Sequence, residues 1–184
     1  MAVQSTSRRY GASSISLHWL MLVLLVAVYA CIELRGIFPK GSDAYLAMKT
    51  WHFMLGLSVF ALVFVRIALR LAGRTPPIVP APRPWQHRLA ALVHLAIYAF
   101  LIVMPLLGWL ALSAGGKPVP FFGLALPPLV APDEALAHQL EEIHETIGTI
   151  GYWLIGLHAA AALFHHYLVR DNTLLRMLPR WGRA

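Results

Sequence analysis

The chain has 184 residues, 59% of them hydrophobic and only 12% charged, with a mean hydropathy of +0.66. That is about half the charge of an ordinary soluble domain, which excludes a water-soluble globule and points to lipid. A net charge of +7 would suggest nucleic acid in a soluble protein; here the basic residues flank apolar runs, so anionic lipid headgroups are the expected partner and nucleic acid is not.

The first predicted element is the apolar run 15–32, interrupted by Ser16 and His18. A signal peptide is the competing reading, with Arg8 and Arg9 as its basic region and Cys31 as a lipidation site. The run is too long for a signal core, and Tyr29 is a poor fit before a lipid-modified cysteine. Cys31 is the one cysteine, so neither an internal disulfide nor a thiolate metal cluster can form. The second run is 51–69, with His52 at its start and Arg66 near its end. The stretch from Thr75 to Pro84 is rich in proline and reads as a stiff, extended connector. The third run, 89–112, contains His94 and Pro105, and a kink is expected at the proline. The connection 113–144 follows. Its Pro120–Leu124 stretch is apolar enough to rest on a membrane surface, and Pro132–Glu142 is expected to form a short amphipathic helix. The last run, 147–169, carries His158, His165 and His166. Each run approaches the ~20 residues that a helix needs to cross a bilayer. No internal repeat or separate soluble domain is evident. The expected architecture is therefore all-α, a single four-helix transmembrane bundle over residues 1–184.

Eleven of the fifteen Lys and Arg residues fall on one side of this layout: Arg8, Arg9, Arg66, Arg70, Arg74, Arg83, Arg88, Arg170, Arg176, Arg180 and Arg183. The other side holds Arg35, Lys40, Lys49 and Lys117, and seven of the eight acids; only Asp171 is on the basic side. The positive-inside rule then puts both termini and the 70–88 connection in the cytoplasm.

Nine histidines are many for such a chain, and intramembrane ionisable groups are costly and usually functional. His144 and His158 are fourteen residues apart, about 21 Å and close to four turns along one helix, so both rings leave from nearly the same face. That spacing suits two haems stacked across a membrane, each needing two axial donors. Matching by depth pairs His52 with His144 near the external side and His18 with His158 in the cytoplasmic half. The second match is imperfect. His18 lies about three residues inside its span, whereas His158 is eleven residues from Val169, unless the fourth span really ends near His165 and His166. His94 lies at the same level and competes with His18. A proton pathway is the chief alternative to a metal or haem role, and hydrogen-bonded interhelical contact is the plainest reading of any single histidine. His87 and His138 read as loop or interface residues.

The segments Gly156–Tyr167 (GLHAAAALFHHY) and Asp171–Met177 (DNTLLRM) resemble the bacterial cytochrome b561 family, itself similar to the cytochrome b subunits of some hydrogenases. Ser16–Leu20, Arg35–Pro39, Thr75–Pro77 and His144–Thr146 support the resemblance, which covers nearly the whole chain. It implies a four-helix bundle of the bacterial inner membrane with two b-type haems, whose ligands fall at His18, His52, His144 and His158. It also implies electron exchange with ubiquinone and, as in some members, with superoxide outside.

Other residues carry softer expectations. Arg66 and Arg70 are placed to pair with haem propionates, with headgroup anchoring as the plain alternative. His165 or His166 is placed to contact quinone at the inner side, against interfacial packing. Arg35, Lys40, Lys49 and Lys117 are placed to attract superoxide, although each alone reads as a solvated loop charge. Trp19, Trp51, Trp109 and Trp153 read as interface or core aromatics. Gly56, Gly108, Gly148, Gly151 and Gly156 are expected to admit haem or a neighbouring helix. The functional alternatives are a haem-bearing anchor subunit of a dehydrogenase or hydrogenase, and a cofactor-free proton or ion transporter. Oligomeric state is not legible.

Overall fold

The structure, a computed structural model, describes residues 9–179. Arg8, Arg180 and Arg183, used above to orient the chain, lie outside the described residues. Four long helices account for most of the chain: α1 (Ala12–Leu34), α2 (Asp43–Ala72), α3 (Pro84–Ala114) and α4 (Glu134–Phe164). All four are long and apolar enough to cross a membrane. The protein is an all-α, four-helix transmembrane bundle.

α2, α3 and α4 begin well before the apolar stretches that mark them, because polar residues cap them in the water layer. The Ser42 side chain accepts from the Tyr45 amide at the start of α2. Pro84 opens α3, and Gln86 Oε1 accepts from the Arg83 amide at 2.8 Å. Asp133 accepts from the Leu136 amide at 3.0 Å to start α4. Residues 134–146 therefore form not a short separate helix but the first turns of α4. Nothing between Glu134 and Ile147 breaks a helix, and Glu, Ala, Leu and Gln there favour one. α3 runs through Pro105 as one helix. α4 passes at His165–Val169 into a π-helical turn, which ends at Arg170 in the left-handed conformation (φ 60°).

The helices pack as two tight pairs. α1 lies along α2, and α3 lies along α4, while α4 approaches the backbones of α1 and α2 far less closely. Mid-bundle, Leu17, Met21, Val59, Val63, Phe100 and Leu101 form a buried cluster, with Val63 fully enclosed. Outward-facing side chains remain apolar, Trp153 and Leu95 among them, as packing against lipid requires.

The two ends of the bundle differ. At one, the connection between α3 and α4 folds into a two-stranded hairpin, β1 (Val119–Phe121) and β2 (Leu124–Leu126), in antiparallel register. The apolar Pro120–Leu124 stretch is this hairpin. Phe122 (φ 46°) and Gly123 (φ 87°) form its two-residue turn, both with positive φ as a primed turn demands. A phenylalanine adopts that conformation only with outside support. Phe122 has it: its amide lies 3.3 Å from Met54 Sδ and its ring sits edge-on to Trp51. Val119 is buried against Leu57 and Leu112, seating the hairpin on α2 and α3. This is the hairpin end.

At the other end, the segment after α4 clasps the rest of the chain. Asn172 exchanges hydrogen bonds with Val79, and its side chain reaches the Pro77 carbonyl. The buried Arg176 guanidinium donates to the Pro76 carbonyl and stands over the Tyr10 ring. Trp19 Nε1 donates to the Met177 carbonyl at 2.7 Å, and the Tyr10 amide to the Arg176 carbonyl. This is the clasp end.

Candidate functional site

At the hairpin end, α2 and α4 bring His52 and His144 together, with ring centroids 6.2 Å apart and planes at 75°. His52 Nδ1 lies 3.0 Å from the Val28 carbonyl of α1. A neutral imidazole that donates through Nδ1 keeps its Nε2 lone pair for a metal. His144 Nδ1 is buried toward the Met104 carbonyl without reaching good hydrogen-bond geometry. Gly108 lets this ring lie against α3, since a Cβ there would stand 3.3 Å from His144 Cε1. Arg35, at the end of α1, is close enough to His52 to act on it electrostatically.

At the clasp end, His18 of α1 and His158 of α4 have ring centroids 6.3 Å apart, again at 75°. His94 of α3 is nearer to His158, at 5.3 Å, and its Nδ1 is 2.5 Å from the Ala90 carbonyl of its own helix. The Arg66 guanidinium acts on His18, His94 and His158 together; Arg70 acts on His94. Arg66 is half-buried and Arg70 exposed, and neither pairs with a carboxylate among the described residues.

Between the two levels, Gly151 marks the closest approach of α4 to its neighbours. A Cβ there would overlap both the Phe100 ring and the Tyr29 hydroxyl. Tyr29 donates to the Gly148 carbonyl at 2.8 Å, and Tyr152 donates to Glu33 Oε1 at 2.8 Å. This Tyr29–Tyr152–Glu33 contact was not legible in sequence, because it joins the first helix to the last, with Glu33 and Tyr152 119 residues apart.

A family model described as prokaryotic cytochrome b561 matches residues 9–180. The chain belongs to that family. "Cytochrome b561 homolog 1" of Escherichia coli K12 is 44% identical over 172 residues, covering 94% of this chain and 98% of that protein. "Probable superoxide oxidase CybB" of Yersinia pestis is 39% identical over 173 residues, covering 94% and 97%. "Cytochrome b562" of Cereibacter sphaeroides is 27% identical over 181 residues, covering 93% and 96%. This b561 family member is a multi-pass bacterial membrane cytochrome, and membership implies b-type haem.

The residues of this cytochrome fit that group. Two imidazoles sharing one iron need centroids about 6.2 Å apart, from about 2 Å of metal–nitrogen bond and about 1.1 Å from nitrogen to ring centre on each side. The pairs at 6.2 and 6.3 Å meet this, whereas His94 stands about 1 Å too close to His158. The paired rings also reach across the seam where the backbone of α4 stands farther from the α1–α2 pair. Gly56, one turn beyond His52, and Gly156 have nothing within 4 Å of where a Cβ would sit. Among the described residues no three metal-binding side chains converge on one point, so the donors come as pairs.

Of the softer candidates, His165 is engaged: its Nδ1 lies 2.6 Å from Asp171 Oδ2. His166 sits edge-on to Tyr167. Burial alone would oppose ionisation of Asp171, but hydrogen bonds from His165 and Thr173 outweigh it and hold the carboxyl below its ordinary range. Lys117 lies 3.9 Å from Glu141 at the surface, and Arg35 stands over the Tyr45 ring.

Proposed function

We propose that this cytochrome carries electrons through two b-type haems, one held by His52 and His144 and one by His18 and His158, from superoxide outside to ubiquinone in the bacterial inner membrane. The observation that supports this best is the pair of histidine couples. Each has the spacing of a shared metal, and the two stand fourteen residues apart along α4, one toward each end of the bundle. In this reading the hairpin end faces outward and the clasp end, with both termini, faces the cytoplasm.

The chain's own residues then act as follows. His52 is oriented by the Val28 carbonyl and His144 by its seat on Gly108, so the protein itself fixes the direction of each ring. Arg35 offers a positive charge beside the outer pair, where an anion such as superoxide would approach. Arg66, and Arg70 beyond it, supply unpaired guanidinium groups for propionates at the inner pair. The buried apolar cluster keeps water from the space between the pairs. The bound haems would supply the one-electron chemistry; the protein supplies position, charge and dielectric.

The test is the purified protein's reduced-minus-oxidised spectrum with haem quantification, followed by superoxide-driven reduction of a quinone. About two haems per chain and turnover that is lost in His52→Ala support the reading. One haem or none contradicts it. Two haems without superoxide-dependent turnover would instead favour an anchor subunit serving a separate dehydrogenase.

A further inference from the structure

We propose that His94 accepts a hydrogen bond from His158 Nδ1 and so acts as the positioning residue of the clasp-end haem ligand. This rests on the two-haem reading above and assigns a histidine that neither ring couple uses.

A histidine that binds iron through one ring nitrogen carries its proton on the other, and that N–H needs an acceptor to hold the ring in place. At the hairpin end the acceptors are backbone carbonyls: Val28 for His52, and Met104 on the side that His144 Nδ1 faces. His158 has no such carbonyl among the described hydrogen bonds. Its ring neighbours are His18 and His94.

The two neighbours stand at different distances, and the difference sorts their roles. His18, at 6.3 Å between ring centroids, leaves space for an iron between two nitrogens. His94, at 5.3 Å, leaves too little space for a metal and enough for a proton. Two imidazoles joined end to end through N–H···N need centroids about 5.2 Å apart, with about 3 Å between the nitrogens. Rotation about that line is free, so the 80° between the ring planes is compatible with it.

The tautomer of His94 is fixed as well. Its Nδ1 lies 2.5 Å from the Ala90 carbonyl of its own helix, and a carbonyl can only accept. The proton of the neutral ring therefore stays on Nδ1, and Nε2 is left as a bare acceptor. Two hydrogen bonds then run in series, from His158 Nδ1–H to His94 Nε2 and from His94 Nδ1–H to Ala90. The helices that carry these rings, α3 and α4, are one of the tight pairs of the bundle, so packing sets the contact. Both rings are half-buried, where such a bond is stronger than in water. The other charges that face His94 are Arg70, Arg66 and Arg176; none is a carboxylate that would draw a proton to Nε2.

The consequence is electronic as well as geometric. An acceptor on Nδ1 gives His158 partial imidazolate character and makes it a stronger donor, which favours oxidised iron. An imidazole nitrogen is a better base than an amide carbonyl, so the clasp-end ligand has the stronger kind of acceptor.

The experiment uses the full-length, haem-loaded protein and reads two quantities other than turnover. The first is nuclear magnetic resonance of protein labelled with heavy nitrogen at histidine and fully reduced, where six-coordinate haem iron is diamagnetic. A nitrogen–nitrogen coupling across the hydrogen bond is expected between His158 Nδ1 and His94 Nε2, whereas mere edge-to-face contact of the rings gives none. The second is a redox titration followed at the two haem bands. His94→Leu is expected to keep both haems and to raise the clasp-end midpoint, so that the reduced-to-oxidised ratio at a fixed poise grows at least about threefold. The hairpin-end midpoint should stay. His94→Gln, whose amide oxygen can accept, should recover at least about half of the shift. An unchanged clasp-end midpoint in His94→Leu, or equal shifts in the Leu and Gln variants, would overturn the proposal. Loss of the clasp-end haem in His94→Leu would also overturn it, by making His94 the ligand. If His94→Leu does not assemble, a missing coupling in the wild type overturns it by itself. Wild-type protein without a haem at His18 and His158 would remove the two-haem reading and the proposal with it.

Discussion

The hairpin end and the clasp end meet the same demand, a pair of facing histidines, with different support. At the hairpin end the rings are held individually: His52 by the Val28 carbonyl, His144 by the flat seat that Gly108 leaves on α3. A small β-hairpin covers that end, anchored through Val119 and Phe122. At the clasp end neither His18 nor His158 has such a backbone partner among the described hydrogen bonds, and His94 crowds the same space. Order there comes from the chain around the pair, where Trp19, Asn172 and Arg176 tie three distant segments together. One site is built residue by residue, and the other is braced from outside. The first should respond to changes in single neighbours, the second to changes in the clasp.

The largest effect expected is from removing one ligand at each end. His144→Ala and His158→Ala should each reduce haem content from about two per chain to about one and abolish turnover, with different bands lost in the reduced spectrum. Loss of both haems from either variant would mean that the two ends do not assemble independently. Next is Gly151→Leu, which drives a side chain into Phe100 and Tyr29 between the levels. Overpacking of that kind costs about 1–3 kcal/mol, read as a lower thermal midpoint, and should disturb both haem bands alike. Arg35→Gln should slow reaction with superoxide several-fold and weaken its salt dependence, while leaving the quinone step alone.

A smaller effect concerns acid. Asp171 is depressed in the folded state, so its contribution to stability is present above its ordinary value near 3.8 and is lost as pH falls through the folded value. Asp171→Asn should flatten this acid limb in a melting series below about pH 4. The smallest expected effect is from His94→Leu, which should keep both haems and so separate His94 from His18 as partner of His158. Loss of the clasp-end haem in this variant would reassign the ligand.

The four spans were legible because membrane crossing writes itself into composition, and the α4 histidines because a fourteen-residue interval carries its own geometry. The helix lengths were less so. Ser42, Arg83 and Asp133 extend the helices into polar sequence that a hydropathy run ignores. The hairpin was hidden because Phe122 occupies a turn position where glycine or asparagine is the usual signal. The link from His165 to Asp171 was missed for another reason: both stood in the segments that carried the family resemblance, yet only the π-helical turn brings them face to face. Depth alone left His18 and His94 level; the resemblance favoured His18, and the ring distances favour it too.

The fourteen-residue interval on α4 makes that helix a ruler. Inserting or deleting a single residue between His144 and His158 would swing one ring by about 100° and aim it at lipid. Length can change there only by steps that bring the ring back to its face; a step of seven residues is worth about 10 Å, a third of the hydrocarbon core. The interior of α4 should therefore tolerate indels less well than its first turns, from Glu134 to Ile143, which precede both histidines.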